Sequence, residues 1–143
     1  MNTYAQSSDA YLVQRVLGAG PELQAALLLE AGQRFLGKAI KAMEQKDHFE
    51  SARCFRRVTD IINESILRLN YEDGGELVEN LLNIYDWWTR EILDASSVKD
   101  AARLQNISQQ MGEIRQAWEQ LNEKQVRAAQ PLQSHAQVGD RVV

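Results

Sequence analysis

Gly74-Gly75-Glu76-Leu77-Val78-Glu79-Asn80-Leu81-Leu82-Asn83-Ile84-Tyr85-Asp86-Trp87-Trp88 is the stretch that decides the fold. The glycine pair reads as a corner, because glycine enters positive φ without a Cβ penalty. It is not a phosphate cradle: it lacks the glycine spacing and the following Lys-Ser/Thr of such loops. Beyond it Leu77, Leu81, Ile84, Trp88 and Ile92 recur every three or four residues, with Tyr85 beside them. That period is one face of an amphipathic helix, which the sequence ends near Asp94-Ala95-Ser96-Ser97.

Working upstream, Asn70 to Gly75 is the turn into this helix. Before it Phe55, Val58, Ile62, Ile66 and Leu69 form another stripe, widened by Ile61. Asp47, in the corner Lys46-Asp47-His48, is a good N-cap, and Glu50 three positions on completes a capping-box pattern. A longer helix spans about 21–45, with Leu28, Phe35, Leu36, Ala39, Ile40 and Met43 in period. Pro21 suits its first turn, while Gly32 and Gly37 weaken it by about 1 kcal/mol each. Gly18-Ala19-Gly20 separates it from a short helix running from Asp9, as cap, to about Leu17.

Downstream, Ser97 and Asp100 can open a fifth helix. Its Leu104, Ile107, Met111, Ile114, Trp118 and Leu121 make a seam suited to antiparallel packing. Past Lys124 the periodicity fades. The predicted fold is all-α: an antiparallel up-down four-helix bundle with a short additional N-terminal helix. The bundle domain is expected over 1–124, with 1–20 as a mobile segment and short helix, and 125–143 as a disordered tail.

The 143 residues suit one domain. A net charge of −4 and a pI near 5.2 argue against nucleic acid as a partner. The longest apolar run, Ala25 to Leu29, is too short to cross a bilayer, so no stable membrane insertion is expected. Cys54 is the single cysteine, and the N-terminus lacks the basic cluster and apolar run of a secretory leader. Both suit a reducing cytosol.

Residues that carry chemistry are sparse, and the sequence predicts neither an enzyme nor a cofactor or metal site. His48 and His135 are far apart, and His48, at a corner, is poorly placed for phosphotransfer. No Glu-x-x-His pair supports a di-iron bundle, and Cys54 has no second cysteine for zinc. Glu76, Glu79, Asp86 and Glu91 fit solvated helix faces and pairing with Arg90. Trp88 belongs to the core stripe, whereas Trp87 leaves part of its ring in water.

The combination Gly74-Gly75-Glu76, Asn80-Leu81 and Ile84-Tyr85-Asp86 resembles the signature of the flagellin-specific export chaperones, the FliS family. Ile61-Ile62 and Leu69-Asn70 upstream, Ala117-Trp118 downstream, Tyr4 and Tyr11, and more loosely Pro21-Glu22-Leu23, extend the resemblance over about Tyr4 to Leu121. Gly20 stands where the family has a stronger cap, Leu28-Leu29-Glu30 where it has an aromatic and an acid, and Asn70 where it has Asp. The resemblance implies an antiparallel helical bundle and a cytoplasmic chaperone. Such a chaperone binds the disordered C-terminal region of flagellin, prevents premature polymerisation and helps deliver the subunit to the flagellar type III export apparatus, whose gate components are further partners. The alternative is a generic helical-bundle adaptor, or a self-associating structural protein, without flagellin affinity.

The candidate residues for a flagellin-binding groove are Tyr4, Tyr11, Ile40, Phe55, Ile62, Ile66, Asn80, Leu81 and Tyr85. For each aliphatic one the competing assignment is core, because both uses share one spacing. Asn80 can bond a client backbone or cap the 70–75 turn. The N-terminal stretch around Tyr4 and Tyr11 resembles a lid over part of the groove; Tyr11 can equally fasten the first helix to the bundle.

Overall fold

The computed structural model describes the backbone of residues 3–142 and the side chains of residues 9–129. Five helices account for the fold, and there is no strand among the described residues: α1 (Thr3–Leu17), α2 (Pro21–Glu44), α3 (His48–Leu67), α4 (Gly75–Ser97) and α5 (Ala101–Val142). The all-α prediction and its corners hold. Two helix ends differ. Nothing in Tyr4–Ser8 is a glycine or proline, and α1 begins at Thr3, so Asp9 lies inside the helix instead of capping it. α5 is helical to Val142 where the fading periodicity predicts a tail. Gln, Ala and Arg are adequate helix formers without a buried face, and residues 125–129 are all exposed.

α2 is the hub. It packs most extensively on α3 and α5 and receives α1 as well, so twelve of its residues are buried, more than one stripe can hold. α4 closes the arrangement by touching α5 and, least extensively, α3. Leu36, Val58, Ile62, Trp88, Leu104, Ile107 and Met111 meet as the fully buried centre. On α4 the buried stripe is Val78, Leu81, Tyr85, Trp88, Ile92 and Ala95. Leu77 is exposed and Ile84 half-buried, so the predicted stripe was turned slightly from the true one.

The two short corners are built alike. At Lys46 and at Lys99 the chain takes positive φ, 61° and 57°. The next amide in each case reaches back to the preceding helix, Asp47 N to Ala42 O and Asp100 N to Ala95 O, both 2.9 Å. Asp47 then caps α3 by accepting from Glu50 N, and Asp100 caps α5 by accepting from Arg103 N. Only half of the predicted capping box forms, because the Glu50 carboxylate turns to Arg53 and Cys54. The α3–α4 corner uses both glycines. Gly75 has φ +55°, and a Cβ on Gly74 would stand 2.5 Å from Asn70 O and 1.8 Å from Val78 Cγ2.

Candidate docking groove

Several of the residues that carry the family resemblance converge at one place. Pro21 and Leu28 of α2, Leu69 and Asn70 of the turn, Gly74, Val78, Leu81 and Tyr85 of α4, and Trp118 of α5 line a cleft of about 230 Å³. Tyr85 is its polar anchor. The ring is 1% exposed and stacks on Trp88 at 5.1 Å between centroids. Its hydroxyl accepts from Trp118 Nε1 at 3.2 Å, and burial pushes the phenol above its ordinary pKa, so it stays neutral. Trp88 Nε1 donates to Gln110 Oε1 at 2.8 Å. Both indoles are thereby satisfied, and the cleft wall is mainly apolar, with Glu22, Ser65, Arg68 and Asn70 as its polar members.

A second opening follows the thin α3–α4 contact. Phe55, Arg56 and Thr59 of α3 face Thr89, Ile92, Leu93 and Ser96 of α4 across about 220 Å³. It shares Phe55, Leu93 and Ser96 with a neighbouring hollow of about 300 Å³ that reaches Met43, His48, Ser97 and Lys99 at the corner end. Half-buried Ile66 and Leu82 lie seven residues from Thr59 and Thr89, on the same helix faces, and continue this seam toward the cleft. Leu93 is 74% exposed and Phe49, at the start of α3, 82%.

Most hydroxyls along the groove are already engaged. Thr59 donates to Phe55 O, Ser65 to Ile61 O, Thr89 to Tyr85 O, Ser96 to Leu93 O and Ser97 to Asp94 O. Each bond returns to the residue's own helix, so the wall makes little hydrogen-bonding demand on an occupant. That chemistry suits an apolar helix face. Among the described residues no group of three or more His, Cys, Asp or Glu side chains is placed to hold a metal ion. No described helix is long and apolar enough to cross a membrane.

The family comparison decides the lineage. The family model described as "Flagellar protein FliS" matches residues 3–125. The chain belongs to the FliS family. Among its FliS relatives, the flagellar secretion chaperone FliS of Salmonella typhimurium is 27% identical over 125 residues, 87% of this chain and 90% of that protein. The flagellar secretion chaperone FliSB of Pseudomonas aeruginosa is 26% identical over 119 residues, 83% of this chain and 94% of that one. The FliS of Vibrio cholerae is 27% identical over 103 residues, covering 72% and 76% of the two chains.

Within this FliS-family chain the nine predicted groove residues separate by burial. Ile40 and Ile62 are core and line none of these openings. Leu81 and Tyr85 are buried yet form the cleft wall. Phe55 and Ile66 are half-buried on the seam. Asn80 is exposed, and the turn is held by Asn70, whose Oδ1 accepts from Asp73 N. Tyr11 is 64% exposed with Arg15 over its ring, and lines a small hollow between α1 and α2. Tyr4 lies outside the residues whose side chains are described. Leu93, His48 and Lys99 were missed as groove residues. The readable signal for Leu93 was a leucine standing off the Trp88–Ile92 stripe.

α1 holds on lightly. Val16 is its one fully buried described side chain, with Leu12 packed at the core edge. Asp9 reaches across to Arg57 of α3 at 2.7 Å, a partly exposed pair. Arg57 also lies over the Phe35 ring, as do Arg34 and Lys38.

Proposed function

We propose that this protein is a cytoplasmic, non-enzymatic export chaperone that captures the disordered C-terminal region of flagellin. It keeps that region from polymerising and presents the subunit to the flagellar type III export apparatus, including its gate components. The single observation that carries the reading is the open apolar seam between α3 and α4, in a chain of the FliS family. The scaffold is an antiparallel up-down four-helix bundle of α2 to α5. Supporting this are the short corners and the ring of backbone contacts, in which each of the four helices lies beside two others while the diagonal pairs meet only through core side chains.

The mechanism is helix-in-groove binding. A segment that is disordered when free loses about 2–5 kcal/mol or more in ordering itself on the chaperone. Apolar side chains laid along Phe55, Ile66, Leu82 and Leu93 offset that cost at about 1.5–3 kcal/mol each when fully buried. Capture by mass action requires no nucleotide. The N-terminal helix is a displaceable lid over part of the client-binding surface: it covers α2 beside Leu27, away from the α3–α4 seam, so a client that releases it extends beyond the seam.

The test is calorimetric titration of the full chain with a flagellin C-terminal segment, beside Leu93→Glu. Leu93 is exposed, so the variant folds, and affinity is expected to fall by about tenfold or more. Equal affinity of the variant removes the seam from the binding surface, and absence of binding by the parent chain rejects the function in favour of an adaptor without flagellin affinity.

A further inference from the structure

The chain carries its charge unevenly. From Arg34 to Arg57 there are seven basic and three acidic residues, and from Val58 to Asp100 three basic and ten acidic. The basic stretch is the second half of α2 and the first half of α3. Its outer face is organised around Phe35. The Arg57 guanidinium stands 5.1 Å from the centre of that ring, the Lys38 ammonium 5.3 Å and the Arg34 guanidinium 5.9 Å. Three like charges gathered about one point repel one another and raise the local positive potential, which the negative face of the ring offsets only in part. Lys41, one turn beyond Lys38, extends the row.

One position on this face is already filled by a carboxylate from another helix. Asp9 of α1 accepts from Arg57 Nη2 at 2.7 Å. Arg53 beside it is held by Glu50. Arg34, Lys38 and Lys41 are exposed, and none of them pairs with a carboxylate among the described residues. Glu30, one turn before Arg34, shares the small α1–α2 hollow with it without forming an ion pair. We propose that this face docks an acidic helical segment of a second protein, whose carboxylates meet Arg34, Lys38 and Arg57 as Asp9 meets Arg57 now. An extended polyanion or a charged bilayer is disfavoured by the net charge of −4, whereas a short segment touches the basic face alone, within the roughly 10 Å over which its attraction acts. The face lies apart from the α3–α4 seam, whose lining includes none of Arg34, Lys38, Arg53 and Arg57, so the proposal stands whether or not flagellin occupies the seam.

The experiment is an NMR titration of the full, isotopically labelled chain with an alanine-based peptide of about fifteen residues carrying glutamate at every fourth position. The control peptide has glutamine in place of glutamate. The glutamate peptide is expected to shift amides of 34–41 and 53–57 and the glutamine peptide none, with the shifts lost at about 1 M salt, where the screening length falls to about 3 Å. Arg34→Glu and Lys38→Glu, at exposed positions, are each expected to weaken binding about three- to tenfold. Arg90→Glu makes the same change of net charge on α4 and is expected to leave affinity within about twofold. Asp9→Asn is expected to strengthen binding by freeing Arg57. Shifts centred elsewhere, equal weakening by Arg90→Glu, or a glutamine peptide that binds as well overturns the proposal. So does a chain that ignores the glutamate peptide and binds vesicles of phosphatidylglycerol over those of phosphatidylcholine, a result that would assign the face to a lipid surface.

Discussion

Gly74 and Gly75 are adjacent and serve different ends. Gly74 is required by space, because a Cβ there meets the Asn70 carbonyl at 2.5 Å. Gly75 is required by its φ of +55°, with open space around it. Gly74→Ala is expected to cost about 1–3 kcal/mol as overpacking, and Gly75→Ala about 1–2 kcal/mol as left-handed strain. Gly37 is helical, exposed and free of neighbours, so Gly37→Ala is expected to stabilise by about 0.5–1 kcal/mol. Urea unfolding midpoints of the three variants check this ordering; equal effects at 74 and 37 contradict it. The glycine corner was legible from sequence, but which glycine answers to space and which to φ was not, since that depends on where Asn70 and Val78 come to lie.

Glu50 gives the residue scale a pH signature. Its carboxyl is held down at about 2, first by hydrogen bonds from Arg53 and next by the Cys54 thiol. A carboxyl lowered on folding adds stability that is complete above its unfolded value, near 4.5, and is lost as pH falls toward 2. More than a third of each partner's side chain meets water, so the effect is small. The stability advantage of the parent over Glu50→Gln is expected at pH 7 and to shrink between pH 4.5 and 2. An advantage that does not vary with pH contradicts the assignment. Cys54 is fully buried, and burial pushes its thiol pKa upward. The helix-start position that could have lowered it is overridden by desolvation.

At the scale of elements, the proposed function rests on α1 and the α3–α4 seam. Among its described side chains α1 has one that is fully buried and one exposed-edge ion pair, against twelve buried residues in α2. Deleting residues 1–17 is expected to leave the helical content of the remainder and its cooperative melt intact, and to raise client affinity severalfold by removing a competitor. Unchanged affinity with the fold retained rejects the lid. Helix identity was readable because 3.6-residue periodicity and the Gly, Pro and Asp corners are local signals. The division between core and groove was not. Ile62 and Ile66 share one spacing on α3, and only the tertiary packing, mainly against α2, buries the first and leaves the second half-buried. The paired corners add a second expectation: Lys46→Gly and Lys99→Gly relieve positive φ and are expected to stabilise by up to about 1 kcal/mol each, read by denaturant titration.

For the whole molecule, the distinguishing property is an incompletely closed arrangement of helices. α2 is buried on several sides, while the first half of α3 and the last third of α4 part enough to leave room between them. Part of the family signature lines the cleft, through Gly74, Leu81, Tyr85 and Trp118, and of the residues named from sequence Leu81 and Tyr85 lie there while Phe55 and Ile66 lie on the seam. The groove's other end, at His48 and Lys99, lies outside the signature and became visible only when the corners were brought together. The most direct measurement is size-exclusion chromatography with light scattering of the full chain mixed with monomeric flagellin at micromolar concentration. A stoichiometric complex is expected, lost when the C-terminal region of flagellin is removed; two separate peaks with intact flagellin would contradict the account.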